Sequence, residues 1–305
     1  MAKYIGKRLI FAVVTVFVVI TVTFFLMNMV PGGPFTSDKL SPQAQELVLQ
    51  KYGLDKPVYV QYGIYLKNLL RGDLGTSIIN AGYSVNDIIA DKFPVSLKLG
   101  LISILFSCIV GIPLGAVSAF KQGGFFDHLT AALASFFSSL PGFVFAVAIL
   151  YFFGMYLHCL PTSGLDSWQN YIMPVLASSV GPIAILIRVT RAAFLDSFEK
   201  DYIKFLKAKG MGYRNIVFKH GLRNSSIPVI TVLGPQVAAI MTGNFIVETI
   251  FTIPGLGSYF VRCISQRDYP VIMGTTIFYT LCIIVVLLLV DILYGIIDPR
   301  IKFDK

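Results

Sequence analysis

Residues Arg188–Pro228 read RVTRAAFLDSFEKDYIKFLKAKGMGYRNIVFKHGLRNSSIP, a long polar stretch between two apolar runs, each of a length that crosses a bilayer. Arg188, Arg191, Lys200, Lys204, Lys207, Lys209, Arg214, Lys219 and Arg223 face only three acids, Asp196, Glu199 and Asp201, so this loop carries most of the chain's net charge of +9. Basic loops are retained on the cytoplasmic side of a membrane, which fixes the expected orientation. Leu195, Phe198, Tyr202, Phe205 and Leu206 recur at steps of three and four, one face of a helix. Gly210 and Gly212 end that helix, because glycine takes the left-handed cap conformation without strain. Physics alone leaves two readings open: an amphipathic helix lying on anionic headgroups, or a helix that docks a partner protein.

The composition around this loop is that of an integral membrane protein. Of 305 residues 55% are hydrophobic and 13% charged, with a mean hydropathy of +0.75, against about 25% charged in soluble domains. Lys3, Lys7 and Arg8 precede an apolar run from Leu9 to Val30 that is longer than a secretory signal core and lacks a small-residue cleavage site, so it reads as a retained span. Further spans are expected at about Leu97–Phe120, Leu129–Leu157 (with Pro141-Gly142 near its middle), Tyr171–Ile187 (broken by Gly181-Pro182), Val229–Phe251 and Val271–Ile297. Six spans place both termini in the cytoplasm. Sixteen basic residues then lie inside, while the two short outer loops hold Arg262 and Arg267 alone. The expected division is 1–30, N-terminal tail and first span; 31–95, a helical segment outside the membrane; 96–297, a five-helix core with the loop 188–228; and 298–305, a cytoplasmic tail.

Within 31–95, Pro31-Gly32-Gly33-Pro34 breaks the first helix. Ser41-Pro42 starts a short helix that Gly53 closes. Tyr59, Tyr62, Leu66 and Leu69 form a second amphipathic stripe ending at Gly72. Ser84 with Asp87 resembles a capping box opening a third short helix. Pro113, Pro141, Pro182 and Pro235 interrupt spans two to five, and each frees a carbonyl that must be satisfied inside a bundle or a wet cavity.

The sequence holds no G-x-x-x-x-G-K-[ST] phosphate loop, no H-E-x-x-H and no G-x-S-x-G. No catalytic residue, metal site or cofactor of its own is therefore expected, and no nucleic-acid-reading motif appears. The four cysteines fit no metal spacing; Cys159 and Cys263 both fall on the expected outer side, where a disulfide is one option. Charges inside spans are few: Lys98, Glu248 and Asp291. An intramembrane ionisable group is a functional candidate by default, and Glu248 is the candidate for the translocation pathway.

At this point the residues resemble a known family. Asp201-Tyr202-Ile203-Lys204, Lys207-Ala208-Lys209-Gly210, His220, Arg223-Asn224 and Ile227-Pro228 are similar to the cytoplasmic loop of binding-protein-dependent ABC importers, of the B-type permease of the oligopeptide and dipeptide group. Pro31–Thr36, Lys51-Tyr52-Gly53-Leu54, Gln61-Tyr62, Gly72-Asp73 and Ser84–Asp87 resemble the oligopeptide subunits, with dipeptide and nickel relatives sharing the architecture. The resemblance implies an all-α, six-span permease of the type I ABC importer fold and favours docking over lipid contact. It makes Asp201, Tyr202, Lys204, Phe205, Leu206, Lys207, Ala208, Lys209 and Gly210 the contact with a separate ATPase. Glu248, Pro254, Gly255 and Gly257 become the pathway or outer gate. Implied partners are a homologous C-type permease, two ATPase subunits that bind ATP and Mg, an external binding protein, and a peptide. Phe205 and Leu206 depart from the family, which has small residues there; bulky ones imply a reshaped cleft or a rotated helix. Dipeptide, glutathione, nickel or metallophore cargo stays open, and an ion-coupled secondary transporter or a membrane scaffold are the rivals from other classes.

Overall fold

A computed structural model describes residues 2–29, 55–80, 82–212, 222–241 and 244–297. The expected breaks and caps at Pro31–Pro34, Ser41-Pro42 and Gly53, the His220 part of the loop and the 298–305 tail lie outside the described residues. The regular structure among them is helical, apart from one isolated bridge between Thr76 and Ser84. The chain divides into two compact units, 1–95 with 255–284, and 96–254 with 285–305.

In the first unit, α1 (Ala2–Met29) is followed by α2 (Val58–Leu69), the start of α3 (Val85–Phe120), α10 (Leu256–Gln266) and most of α11 (Tyr269–Ile297). Its core joins Val85, Ile88 and Ile89 of α3 to Leu256 and Cys263 of α10 and to Val271 and Ile272 of α11. Gly274 permits the closest approach: a Cβ there would stand 2.6 Å from a Val85 methyl. Between α10 and α11 the buried Asp268 accepts from the Ser77 hydroxyl and from the backbone N–H groups of Ile78 and Ile79, tying the 76–80 turn to this junction. The expected stripe on α2 holds at Tyr62, Leu66 and Leu69, which are half-buried, and fails at Tyr59. Tyr62 and Tyr65 pack on Phe24, with centroids 5.1 and 6.0 Å away, while Tyr59 is largely exposed. Ser84 opens no separate short helix. Its Oγ accepts from the N–H of Asn86, at the head of the 36-residue α3.

In the second unit, α3 leads through 121–124 to α4 (Phe125–Ser139). Leu140 and Pro141 are extended, and α5 (Gly142–Ile149), continued by a π-helical turn over Leu150–Tyr156, leaves at 99° to α4. The expected interruption at Pro141 is thus a sharp bend. A break was also expected at Gly181-Pro182, and here the structure corrects the sequence. The next helix, α6, is continuous over Gln169–Glu199 with Pro174 and Pro182 inside it. A proline removes one ladder bond, but α6 is enclosed by α4, α5 and α8 (Leu222–Met241), and neighbouring helices can hold such an interrupted segment in place.

Four of these helices are long and apolar enough to cross a membrane: α1, α3, α6 and α11. The bent pair α4–α5 makes a fifth. Six were expected, and the difference sits at Val229–Phe251. The apolar part of α8 ends at Ile240, and the chain resumes as the short α9 (Phe245–Ile250). All four cysteines are free thiols, Cys159 exposed and Cys263 buried.

Candidate functional site

The basic loop begins as a direct continuation of α6, which runs helical from residues of the apolar core to Glu199. Lys200 then turns extended (φ −68°, ψ 142°), and a separate eight-residue helix, α7 (Asp201–Ala208), starts. The single amphipathic helix expected through Leu195–Leu206 is therefore two helices with a corner at Lys200. The expected stripe does not stay on one side across that corner: Leu195, Phe198 and Leu206 are half-buried and Phe205 is exposed, while the most buried positions lie outside the stripe. Phe194 and Ile203 are each almost wholly inaccessible. The corner is closed by the N–H of Ile203 donating to the Lys200 carbonyl (3.0 Å), and Lys200 pairs with Asp196 one turn back at 3.1 Å. Asp201 in the first turn of α7 suits the positive end of the helix dipole.

The end of α7 is built as expected at Gly210, while Gly212 does not take the left-handed conformation. Gly210 has φ +77°, a left-handed conformation that a side chain would strain. The N–H groups of Lys209 and Met211 donate to the carbonyls of Phe205 and Leu206. Phe205 is 58% exposed and the Lys209 ammonium lies 4.8 Å from its ring centroid; Leu206 is half-buried, and Ala208 and Gly210 are exposed. Of Tyr202, Lys204 and Lys207 the backbone alone is described, and it lies in α7. The helix thus has one anchored side, at Ile203, and an open side carrying Phe205 and Lys209.

Sequence reasoning missed what holds the root of this loop. Asp127 in the first turn of α4 is buried. Its Oδ1 accepts from the Ser118 hydroxyl at 2.6 Å and from Arg191 Nε at 2.6 Å; its Oδ2 accepts from the N–H of Gly123 at 2.9 Å and from Arg191 Nη2 at 2.8 Å. Gly123 reaches it from a left-handed φ of +73°. A turn of α6 away, Phe194 packs on Phe120 and Phe198, with centroids 5.5 and 6.0 Å off. On the other side, Gly111 and Gly115 of α3 lie against α6 so closely that a Cβ on Gly115 would stand 2.6 Å from the Ile187 carbonyl oxygen and 2.7 Å from Thr190 Cβ. Gly111-Ile-Pro-Leu-Gly115 is a G-x-x-x-G in an apolar helix, the signal that was available for this contact. Nothing local in the sequence paired Asp127 with Arg191, 64 positions apart.

Glu248, Pro254, Gly255 and Gly257 are less of a constellation. Glu248 is wholly buried in α9, and its carbonyl accepts from the N–H of Ile253 across a turn where Thr252 takes φ +51°. Pro254 follows in the same unit. Gly255 caps α10 and Gly257 is buried in its first turn, both in the other unit. The sequence missed α10 itself, having read this stretch as loop.

Comparison with known proteins now decides the class. The family described as "Binding-protein-dependent transport system inner membrane component" matches residues 111–303, and its N-terminal companion matches residues 1–100. The chain belongs to this family. It is 44% identical to the dipeptide transport system permease protein DppB of Bacillus subtilis, over all of this chain and 99% of that one. It is 38% identical to the oligopeptide transport system permease protein OppB of Haemophilus influenzae, over 99% of this chain and all of that one. A solved chain of the MetNI methionine ABC transporter in an inward-facing conformation is 14% identical and covers 69% of this chain and 96% of its own length, with a TM-score of 0.55. That likeness extends to the fold, a permease of the ABC importer type. The protein is accordingly a multi-pass inner-membrane component of a binding-protein-dependent transport system, and its relatives are named as the permease proteins of such systems.

Proposed function

We propose that this permease imports peptides, and that α7 is the helix through which a separate ATPase drives it. The observation that carries the reading is the α6–α7 corner. A helix from the apolar core runs unbroken to Glu199 and turns at Lys200 into a short helix anchored by Ile203, with Phe205 and Lys209 on its open side. A lipid-bound helix would present an unbroken apolar face to the acyl boundary. In α7 the most apolar position faces inward instead, and the exposed aromatic is bracketed by a cation, a chemistry suited to a protein cleft.

In this reading the basic loop and both termini lie in the cytoplasm. A homologous C-type permease completes the pore, two ATPase subunits bind ATP and Mg, and an external binding protein delivers the cargo. Closure of the ATPase pair displaces α7, α6 moves with it, and the cavity opens outward. Glu248 and the Pro254–Gly257 turn lie at the outer end of the pathway. The cargo is oligopeptide on the resemblance of the Pro31–Thr36 and Lys51–Leu54 patches. Dipeptide cargo is the second reading, favoured by the 44% identity to a dipeptide permease. Competition of labelled dipeptide uptake by tetra- and pentapeptides separates the two.

The coupling role is tested with Gly210→Leu. A leucine at φ +77° disrupts the end of α7 at a cost of about 1–2 kcal/mol without altering the bilayer-embedded helices. We expect an assembled complex whose ATPase no longer responds to loaded binding protein. Wild-type uptake with wild-type stimulation refutes the role.

A further inference from the structure

We propose that Asp127 and Arg191 form a positioning joint that makes α3 and α4 follow the α6–α7 corner during transport. The proposal rests on the reading of α7 as the driven helix. Movement of α7 is useful only if it reaches the helices around the cavity, and packed helices ordinarily accommodate such movement by small sliding. Around Arg191 the structure opposes sliding in three independent ways within about three turns of α6. Ile187 and Thr190 receive the bare backbone of Gly115. Arg191 grips Asp127 with two parallel N–H donors at 2.6 and 2.8 Å. Phe194 and Phe198 close on Phe120.

The middle contact differs in kind from its neighbours. A bidentate pair fixes orientation as well as distance, and Asp127 is itself held from three other directions. Ser118 donates from the last turns of α3, Gly123 from the α3–α4 connection, and the backbone of Asp127 belongs to α4. One carboxylate therefore gathers the ends of two helices and the turn between them onto a single residue of α6. Stability does not demand this. Gly124, not Asp127, occupies the cap position of α4, and the Arg191 side chain is 32% exposed, so water was available to it. Buried ion pairs are weak stabilisers, and their best-attested use is to specify one arrangement of elements. Arg191 lies nine residues before the corner at Lys200, about 13 Å along the helix, close enough for a displacement of α7 to arrive there little diminished.

The experiment uses the full importer reconstituted in proteoliposomes, with its ATPase subunits, second permease and binding protein. It reads peptide molecules imported per ATP hydrolysed and the stimulation of ATPase by loaded binding protein. Asp127→Asn and Arg191→Gln are each expected to leave basal ATPase in the assembled complex within about twofold of wild type and to lower both readouts by about fivefold, inside the roughly 2- to 30-fold range of coupling effects transmitted through such contacts. Arg191→Lys, which keeps the charge but not the fork, falls between. A merely structural pair would reduce the yield of complex and leave peptides per ATP unchanged, and that result overturns the proposal. Should the neutral variants fail to assemble, Arg191→Lys decides, since an unchanged ratio there is equally fatal. Gly210→Leu run in parallel distinguishes the two claims. If it uncouples while the Asp127 and Arg191 variants do not, the joint is wrong and the role of α7 stands. If none uncouples, the role of α7 itself falls.

Discussion

Replacing Gly115 by alanine puts one methyl group where α3 meets α6. Built on the present backbone, that Cβ lies 2.6 Å from the Ile187 carbonyl oxygen, 2.7 Å from Thr190 Cβ and 3.2 Å from Ile187 Cα. Two of the three atoms are backbone of a helix enclosed by its neighbours, so rotamer changes relieve little. Ordinary contact begins near 3.4 Å, and the helices must therefore separate locally by about 0.8 Å. Overpacking of this kind costs roughly 1–3 kcal/mol, partly offset by about 0.5–1 kcal/mol from the better helix propensity of alanine. A net loss of about 1–2 kcal/mol is expected, read as a lower midpoint in thermal unfolding of the detergent-solubilised complex. The separation also lengthens the neighbouring Asp127–Arg191 bonds, so ATPase stimulation should fall in the complexes that remain folded. Gly181 supplies the control: it is equally helical, but a Cβ there meets nothing within 4 Å. Gly181→Ala should be neutral or slightly stabilising. If Gly115→Ala melts with wild type, or if the two alanine variants behave alike, the close approach of α3 and α6 is wrong.

Two further outcomes follow from the first unit. Asp268→Ala removes a carboxylate that accepts three hydrogen bonds in a buried site, which should destabilise by roughly 3 kcal/mol and open the 76–80 turn to protease; an unchanged digestion pattern would contradict the clamp. Burial, with Asp268 nearby, pushes the Cys263 thiol up to about 12. Since the thiolate is the reactive form, Cys263 should resist alkylation at pH 8 while the exposed Cys159 reacts within minutes. Equal rates, or a bond between the two, would refute the free and buried assignment.

How much of this was legible in the sequence differs by element. Long apolar helices announce themselves by length, and α1, α3, α6 and α11 fall where hydropathy places them. The helix stop at Gly210 was legible because only a glycine accepts that backbone without strain. Continuity was harder to read. Pro141 and Pro182 look alike in sequence, yet one sits at a 99° bend and the other inside an unbroken helix. The difference lies in what surrounds them, α6 being enclosed by neighbouring helices. The corner at Lys200 left no signal, since the apolar spacing in the sequence runs straight through it, although Ile203 and not Phe205 is the residue buried beyond it. Helix α10 went unseen because its opening residues, Pro254-Gly255-Leu256-Gly257, are turn formers that here cap a strongly amphipathic helix. The grip of Arg191 on Asp127 is a tertiary fact: Arg191 read as one more basic residue of the loop, and nothing singled out Asp127.

The most direct test of the account is where Phe205 sits in the working importer. In a Cys159→Ser background, Phe205→Cys gives an exposed thiol at a defined point of α7. The account predicts a disulfide or short bifunctional cross-link from this position to the ATPase subunit, responsive to ATP, with no labelling of intact cells by a membrane-impermeant maleimide. Rapid labelling from outside, with no cross-link to the ATPase under any nucleotide condition, would contradict it.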